Sequence, residues 1–235
     1  MWSGPRNIST ALMRSWGSRP DTYVCDEPLY AHYLTRTDAR RHPGYRETLS
    51  AHESDWRKVV ADLLGPIPEG KTVFYQKHMA HHLLPNIDVA WTGELQNCLL
   101  IRPPRNMLAS LAQFIDEPTV ADTGLPQQAA LCDQLLQSGQ SPPVVDAADV
   151  LEAPERMLRL LCEALEVPFY EQMLSWNPGP RPTDGAWGPF WYADVYKTTG
   201  FKAPRATQRE LPRRLEPTLV ECERIYSELW ARRLI

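Results

Sequence analysis

The sequence predicts an α/β domain, a mostly parallel sheet flanked by helices with an aromatic, proline-rich lid segment and a long C-terminal helix. Three observations lead there. Short apolar or β-branched runs alternate with longer amphipathic segments, the pattern of βαβ units. Glycines and prolines fall between these segments and punctuate them. Hydrophobic residues make up 43% and charged residues 23% of the 235 residues, enough to bury one sizeable core in a single domain spanning 1–235.

The elements follow in order. MWSGPRNISTALMRSW at 1–16 reads as a loop feeding a helix, with Gly4 and Pro5 forcing a turn and Ser9 and Thr10 as N-cap residues. A loop carrying an arginine and two hydroxyls at a helix N-terminus has the layout of an anion site. Only Met1 and Trp2 precede that loop, so the central strand it hangs from is expected to be truncated, and a longer version of the chain more stable. TYVC at 22–25 is a strand ending at Asp26-Glu27-Pro28, followed by a polar stretch over 36–55. DWRKVVADLLG at 55–65 is a helix closed by Gly65, and KTVFYQK at 71–77 a strand. NCLLIR at 97–102 reads as a buried strand, 106–114 and 127–136 as helices, VVD at 144–146 as a short strand and 153–165 as an amphipathic helix. The final helix covers 211–234, broken or begun afresh near Pro217. Between them, 176–206 is irregular and too aromatic for a disordered linker, which marks a lid or binding segment.

Charge and composition narrow the partners. A net charge of −4 argues against a large nucleic-acid face and leaves room for a local basic pocket. No apolar run is long enough to span a membrane and no signal peptide is visible, so no membrane partner and a cytoplasmic location are expected. The five cysteines, at 25, 98, 132, 162 and 222, are odd in number and scattered, as reduced core residues are.

Two motifs carry a resemblance. Pro5-Arg6-Asn7-Ile8-Ser9-Thr10 resembles the phosphosulfate-binding loop of the sulfotransferases, usually P-[RK]-S-G-T-T. Arg102, with Ser110 eight residues later on the next helix, resembles the family's second motif. The resemblance implies a P-loop-type fold and 3′-phosphoadenosine 5′-phosphosulfate as co-substrate. It places Arg6 at the transferring sulfonate or 5′-phosphate, has Asn7, Ile8, Ser9 and Thr10 complete the loop, and puts Arg102 and Ser110 on the 3′-phosphate. Asn7-Ile8 stands where the family has Ser-Gly, which makes the loop less permissive. Pro103-Pro104 replaces an acidic-Pro pair and is compatible with a helix start.

Gln76-Lys77-His78-Met79-Ala80-His81-His82 resembles, loosely, the Lys-Thr-His stretch of cytosolic sulfotransferases, which implies that Lys77 and His78 flank the sulfonate and the acceptor hydroxyl. The alternative is a strand end with a satisfied histidine. His78, His81 and His82 have the spacing of metal ligands, but no cysteine or suitably placed carboxylate accompanies them, so no metal is expected. Glu27-Pro28 resembles the Glu-Pro of carbohydrate-type sulfotransferases, where an acidic residue lies near the acceptor. Histidine is the better base near neutral pH, so His78 is assigned that role, with Glu27 orienting the acceptor. Lys202, with Lys197 and Arg205, matches by position the late basic loop that closes over the nucleotide. Trp187, Trp191 and Tyr192 either stack on adenine, line the acceptor pocket or pack beneath the loop.

The expectation is therefore a cytoplasmic, metal-independent sulfotransferase moving a sulfonate to a hydroxyl or amine of a small-molecule acceptor. A kinase-like P-loop nucleotide transferase is the enzymatic rival, although the loop lacks Gly-Lys-Ser/Thr and Asp146 is the sole aspartate placed for Mg²⁺. A nucleotide-binding module without turnover is the other.

Overall fold

In the computed structural model, residues 1–40, 42–203 and 210–235 are described. The five strands are β1 (Trp2–Ser3), β2 (Thr22–Asp26), β3 (Val73–Met79), β4 (Leu99–Ile101) and β5 (Val144–Asp146). They form one parallel sheet in the order β2-β3-β1-β4-β5. The α-helices are α1 (Ser9–Gly17), α2 (Tyr30–Arg36), α3 (Tyr45–Ala51), α4 (Trp56–Leu63), α5 (Pro104–Leu111), α6 (Leu125–Gln137), α7 (Ala147–Glu152), α8 (Pro154–Ala164), α9 (Gly188–Trp191) and α10 (Glu216–Trp230). Among the described residues, no helix is long and apolar enough to cross a membrane.

A parallel sheet needs cover on both faces, and successive residues of each strand point to opposite sides. On one face α4, α5, α6 and α10 bring Val60, Leu108, Leu131 and Cys222 against Trp2, Leu99 and Ile101. On the other, α1, α2 and α8 bring Leu12, Leu34 and Leu158 against Val24, Tyr75 and Leu100. Burying each such side chain contributes about 1.5–3 kcal/mol. The 176–200 segment belongs to this second layer: Trp187 and Tyr192 are buried, and Arg14 of α1 clamps Asp184 through contacts of 2.5 and 2.7 Å. Beneath Met1, a cavity of about 210 Å³ opens between residues 72–76 and 95–98.

Several elements depart from the sequence reading. Ser9 and Thr10 lie inside α1, not at its cap; Ile8 is the N-cap residue, and its side chain makes no capping bond. The polar 36–55 stretch contains α3, entered through Gly44 at a φ of 76°. Its periodicity is hard to see because only seven residues are helical, and Tyr45 and Leu49 reach the core from one side. Residues 30–36, for which the sequence predicts no element, form α2 by burying Tyr30, Ala31, His32 and Leu34. The last helix starts at Glu216 with Pro217 in its first turn, where a missing N–H costs nothing.

The chain leaves β1 toward one edge and β4 toward the other, so the sheet has a switch point between them, where α/β folds bind ligands. The loop after β1 is packed without slack: a Cβ on Gly4 would sit 2.3 Å from the Thr123 carbonyl oxygen. Gly4→Ala is therefore expected to lower stability by about 1–3 kcal/mol, the usual range for overpacking a fixed backbone contact. Gly93→Ala, with open space around it, should change stability far less; urea denaturation of the two variants compares them.

Candidate active site

The first half of the site is the loop after β1. Arg6 adopts a φ of 53°, a left-handed conformation that a non-glycine residue holds only when its surroundings fix it. They do: the Arg102 guanidinium donates to the Arg6 carbonyl oxygen, and Arg6 Nε donates to Ser110 Oγ at 3.2 Å. The Arg6 guanidinium also lies 4.6 Å from the centre of the Phe114 ring. Asn7 straps the loop to β4, its Nδ2 donating to the Leu100 carbonyl at 3.1 Å while Oδ1 accepts from Ile8 N–H at 2.9 Å. The positive φ thus falls on Arg6, and Ile8, at a φ of −87°, occupies the place of the usual glycine without strain. The structure brings Arg6, Arg102 and Ser110 together at the start of α1. There the first-turn N–H groups lack a side-chain cap, and the hydroxyls of Ser9 and Thr10 have no hydrogen-bond partner among the described residues.

The second half is built on β2 and β3. Asp26 and Lys77 are register partners on these adjacent strands. Lys77 Nζ, almost fully buried, donates to Asp26 Oδ1 at 2.7 Å, Glu27 Oε1 at 2.6 Å and the Tyr192 hydroxyl at 2.7 Å. Glu27 leaves the strand at a φ of 40°, a bend that turns its carboxylate onto the ammonium, and its N–H holds the Lys77 carbonyl at 2.8 Å. The Tyr192 hydroxyl donates to Asp26, whose Oδ2 also accepts from Gly185 N–H at 3.1 Å. Burial opposes the charge on Lys77, but Asp26 and Glu27 more than offset it and hold the ammonium above its ordinary value. Burial pushes the Glu27 carboxyl up, with Lys77 opposing and Asp26 adding to the rise.

His78 does not join this cluster. Neighbouring residues of a strand face opposite ways, so Lys77 and His78 cannot share a site on one side of the sheet. His78 is buried on the other face, stacked on Trp2 with ring centres 4.1 Å apart and 3.2 Å from Gln76 Oε1. Asp146 caps α7 through Ala148 N–H and accepts from the Tyr226 hydroxyl, so both of its oxygens are engaged within the fold. Lys202 is exposed, just before the undescribed residues 204–209, and Arg205 lies outside the described residues. His81 and His82 pack against Tyr33 at the end of β3; among the described residues, no group of three or more His, Cys, Asp or Glu is arranged to hold a metal ion. Asp26 and Tyr192 are members of this buried cluster that the sequence does not assign to the site. The signal for Asp26 was its place at a strand end beside Glu27, and for Tyr192 the aromatic density around it.

Residues 1–223 match the family model described as a sulfotransferase domain. Among curated proteins, the chain is 38% identical over 230 residues to branched-chain-amino-acid aminotransferase-like protein 2 of Arabidopsis thaliana and 39% identical over 211 residues to the corresponding protein 1. These alignments cover 97% and 90% of this chain but only 40% and 38% of those proteins. Among solved structures, it is similar to a sulfotransferase domain from the curacin biosynthetic pathway, with a TM-score of 0.49, 16% identity and coverage of 97% of this chain and 95% of that one. A sulfotransferase domain from the Synechococcus PCC 7002 olefin synthase gives a TM-score of 0.46 at 14% identity, covering 96% and 92%.

The histidines make stability depend on pH. Burial holds His78 and His82 well below the ordinary imidazole value and His81 at about 4. An unfolded chain protonates these rings near pH 6.5, whereas the folded one does not, so their contribution is present above that value and lost as the pH falls toward the folded ones. The thermal midpoint is expected to drop between pH 7 and pH 5, and His82→Asn should flatten the slope. A wild-type profile that is level across this range would contradict the assignment.

Proposed function

Since the chain belongs to the sulfotransferase domain family, we propose that it moves a sulfonate from 3′-phosphoadenosine 5′-phosphosulfate to a hydroxyl or amine of a small acceptor, without a metal and with Glu27 as the base. The observation that carries this reading is the convergence of Arg6, Ser110 and Arg102 on the uncapped start of α1. Backbone N–H groups, the positive end of the helix dipole and two hydroxyls suit a phosphosulfate there, and the guanidiniums suit the donor's remaining phosphate. The donor supplies an activated sulfur whose bond to the 5′-phosphate oxygen breaks as the acceptor oxygen or nitrogen attacks.

The chain's own part is positioning and proton removal. The sheet order sets Glu27, Lys77, the Arg6 loop and Arg102 in a row along the strand ends, so Glu27 and the loop lie two strand spacings, about 10 Å, apart. That gap leaves room for a sulfonate and an acceptor atom in line. Glu27 Oε1 is pinned by Lys77, and Oε2 has no hydrogen-bond partner among the described residues, which leaves it to accept the acceptor's proton. Its raised pKa makes it a stronger base than an ordinary carboxylate. All three Lys77 N–H groups are engaged, so this lysine is read as the holder of Glu27 and not as a sulfonate contact. His78, on the opposite face, is read as packing. Asp146, the aspartate on which the kinase-like alternative would draw, has both oxygens bonded within the fold. The reading keeps the activity in the cytoplasm, with support from the free thiols of Cys98, Cys132, Cys162 and Cys222, all buried.

Adenosine 3′,5′-bisphosphate is expected to raise the thermal midpoint more than equal concentrations of ADP or ATP; the reverse order would favour the kinase-like alternative. Glu27→Gln is expected to lower kcat by about 10²–10⁴-fold with nearly unchanged bisphosphate affinity, measured by calorimetry alongside turnover. Near-normal turnover in that variant would remove Glu27 from the role.

A further inference from the structure

We infer that Tyr192 is a positioning residue for the transfer step, the group that fixes how Lys77 holds Glu27. The inference rests on the reading of Glu27 as the base. It comes from counting donors. An ammonium has three N–H bonds, and those of Lys77 end on Asp26, Glu27 and the Tyr192 oxygen. That phenol oxygen also accepts from Trp187 Nε1 at 3.0 Å, so its two acceptor positions are filled. Its one hydrogen goes to Asp26, 2.9 Å from Oδ2 and 3.0 Å from Oδ1, with Glu27 Oε1 more distant at 3.3 Å. Every hydrogen in the cluster then has one place to go. The ammonium cannot turn toward an arriving anion, and Glu27 is held by one oxygen only.

Without the phenol, one Lys77 N–H and one side of Asp26 lose their partner in a buried setting. Asp26 then competes more strongly for the ammonium and draws it from Glu27. This favours the protonated form of Glu27 and loosens its aim. The segment 176–200 therefore supplies a working part of the site, because α1 and β2 hold it through Arg14–Asp184 and Asp26–Gly185.

The test uses Tyr192→Phe in the full chain and two readouts. The first is the ¹³C titration of the Glu27 carboxyl, assigned by its disappearance in Glu27→Gln, which needs no acceptor. The second is hydrolysis of the donor with water in the acceptor's place. There the water oxygen bonds to sulfur, the sulfur–oxygen bond to the 5′-phosphate breaks, Glu27 takes one water proton, and adenosine 3′,5′-bisphosphate leaves with hydrogen sulfate, which gives its remaining proton to solvent. In Tyr192→Phe the Glu27 midpoint is expected to rise by about 0.5–1 pH unit, with the acid limb of the hydrolysis profile moving up equally. Turnover near neutral pH should fall up to about tenfold, while the donor KM stays unchanged. An unmoved Glu27 midpoint overturns the inference, including when turnover falls at every pH, which is the mark of a role in packing alone. Replacement of Tyr192 by 3-fluorotyrosine keeps the packing and strengthens the donor, and should move the midpoint down; no movement there overturns the inference even if the phenylalanine variant folds poorly. Absence of donor hydrolysis and of bisphosphate binding in the wild type would count against the sulfotransferase reading instead, and the carboxyl titration separates the two.

Discussion

The ammonium of Lys77, placed in the interior between two carboxylates, is the constraint on which the rest of this structure depends. An isolated charge at that depth would cost far more than a small domain can spare, so it exists only with its partners in place. Asp26 must be its neighbour across the sheet, which requires β2 to lie beside β3 in one register. Glu27 must bend back, which requires a left-handed residue at the end of β2. A phenol must cover the remaining N–H, which requires the 176–200 segment to lie on the face of the sheet that carries α1. Sheet order, local strain and the seating of a long irregular segment thus answer one electrostatic demand.

The loop after β1 works by different physics. Its charge is cationic and near the surface, and its shape is set by hydrogen bonds from a neighbouring strand. Arg102 and Asn7 both reach across, the first to a carbonyl of the loop and the second from the loop to β4. A strained residue held by two straps is fixed in shape, which is what the proposed anion site asks for, since little must be reorganised when charge arrives. Alternation along β3 then separates the roles of adjacent residues. Lys77 faces the cluster, and His78 faces Trp2 and the opposite core.

What could be read from the sequence divides along the same lines. Local physics was legible: β2, β3, β4 and β5 follow from short β-branched or apolar runs, and α4 appears within two residues of its expected bounds because its apolar stripe is regular. The meeting of Arg6, Arg102 and Ser110 was legible because Arg102 and Ser110, on a strand end and the next helix, stand at a short, fixed spacing along the chain, and Arg6 stands in a loop that feeds a helix. α3 was not, since a seven-residue helix in a polar stretch carries too little periodicity, and its place is decided by Tyr45 and Leu49 packing elsewhere. Intrinsic basicity favours His78 as the base, whereas the period of two along β3 sets Lys77 and His78 on opposite faces. The Asp26–Lys77–Tyr192 arrangement depends on contacts between distant segments, and no local pattern encodes those.

The distance along the chain between these partners also orders events during synthesis. Tyr192 lies 115 residues after Lys77, and Asp184 lies 170 after Arg14. At translation rates of about 5–20 residues per second, the phenol is made about 6–23 s after the lysine it covers. Throughout that interval the first three strands have an ammonium and two carboxylates to accommodate without their final neighbour, and they can close around them only when the downstream segment emerges. The sheet is accordingly finished from outside its own strands. Maturation of the interior is tied to emergence of the 176–200 segment from the ribosome, and such long-range closure belongs to the slow end of single-domain folding.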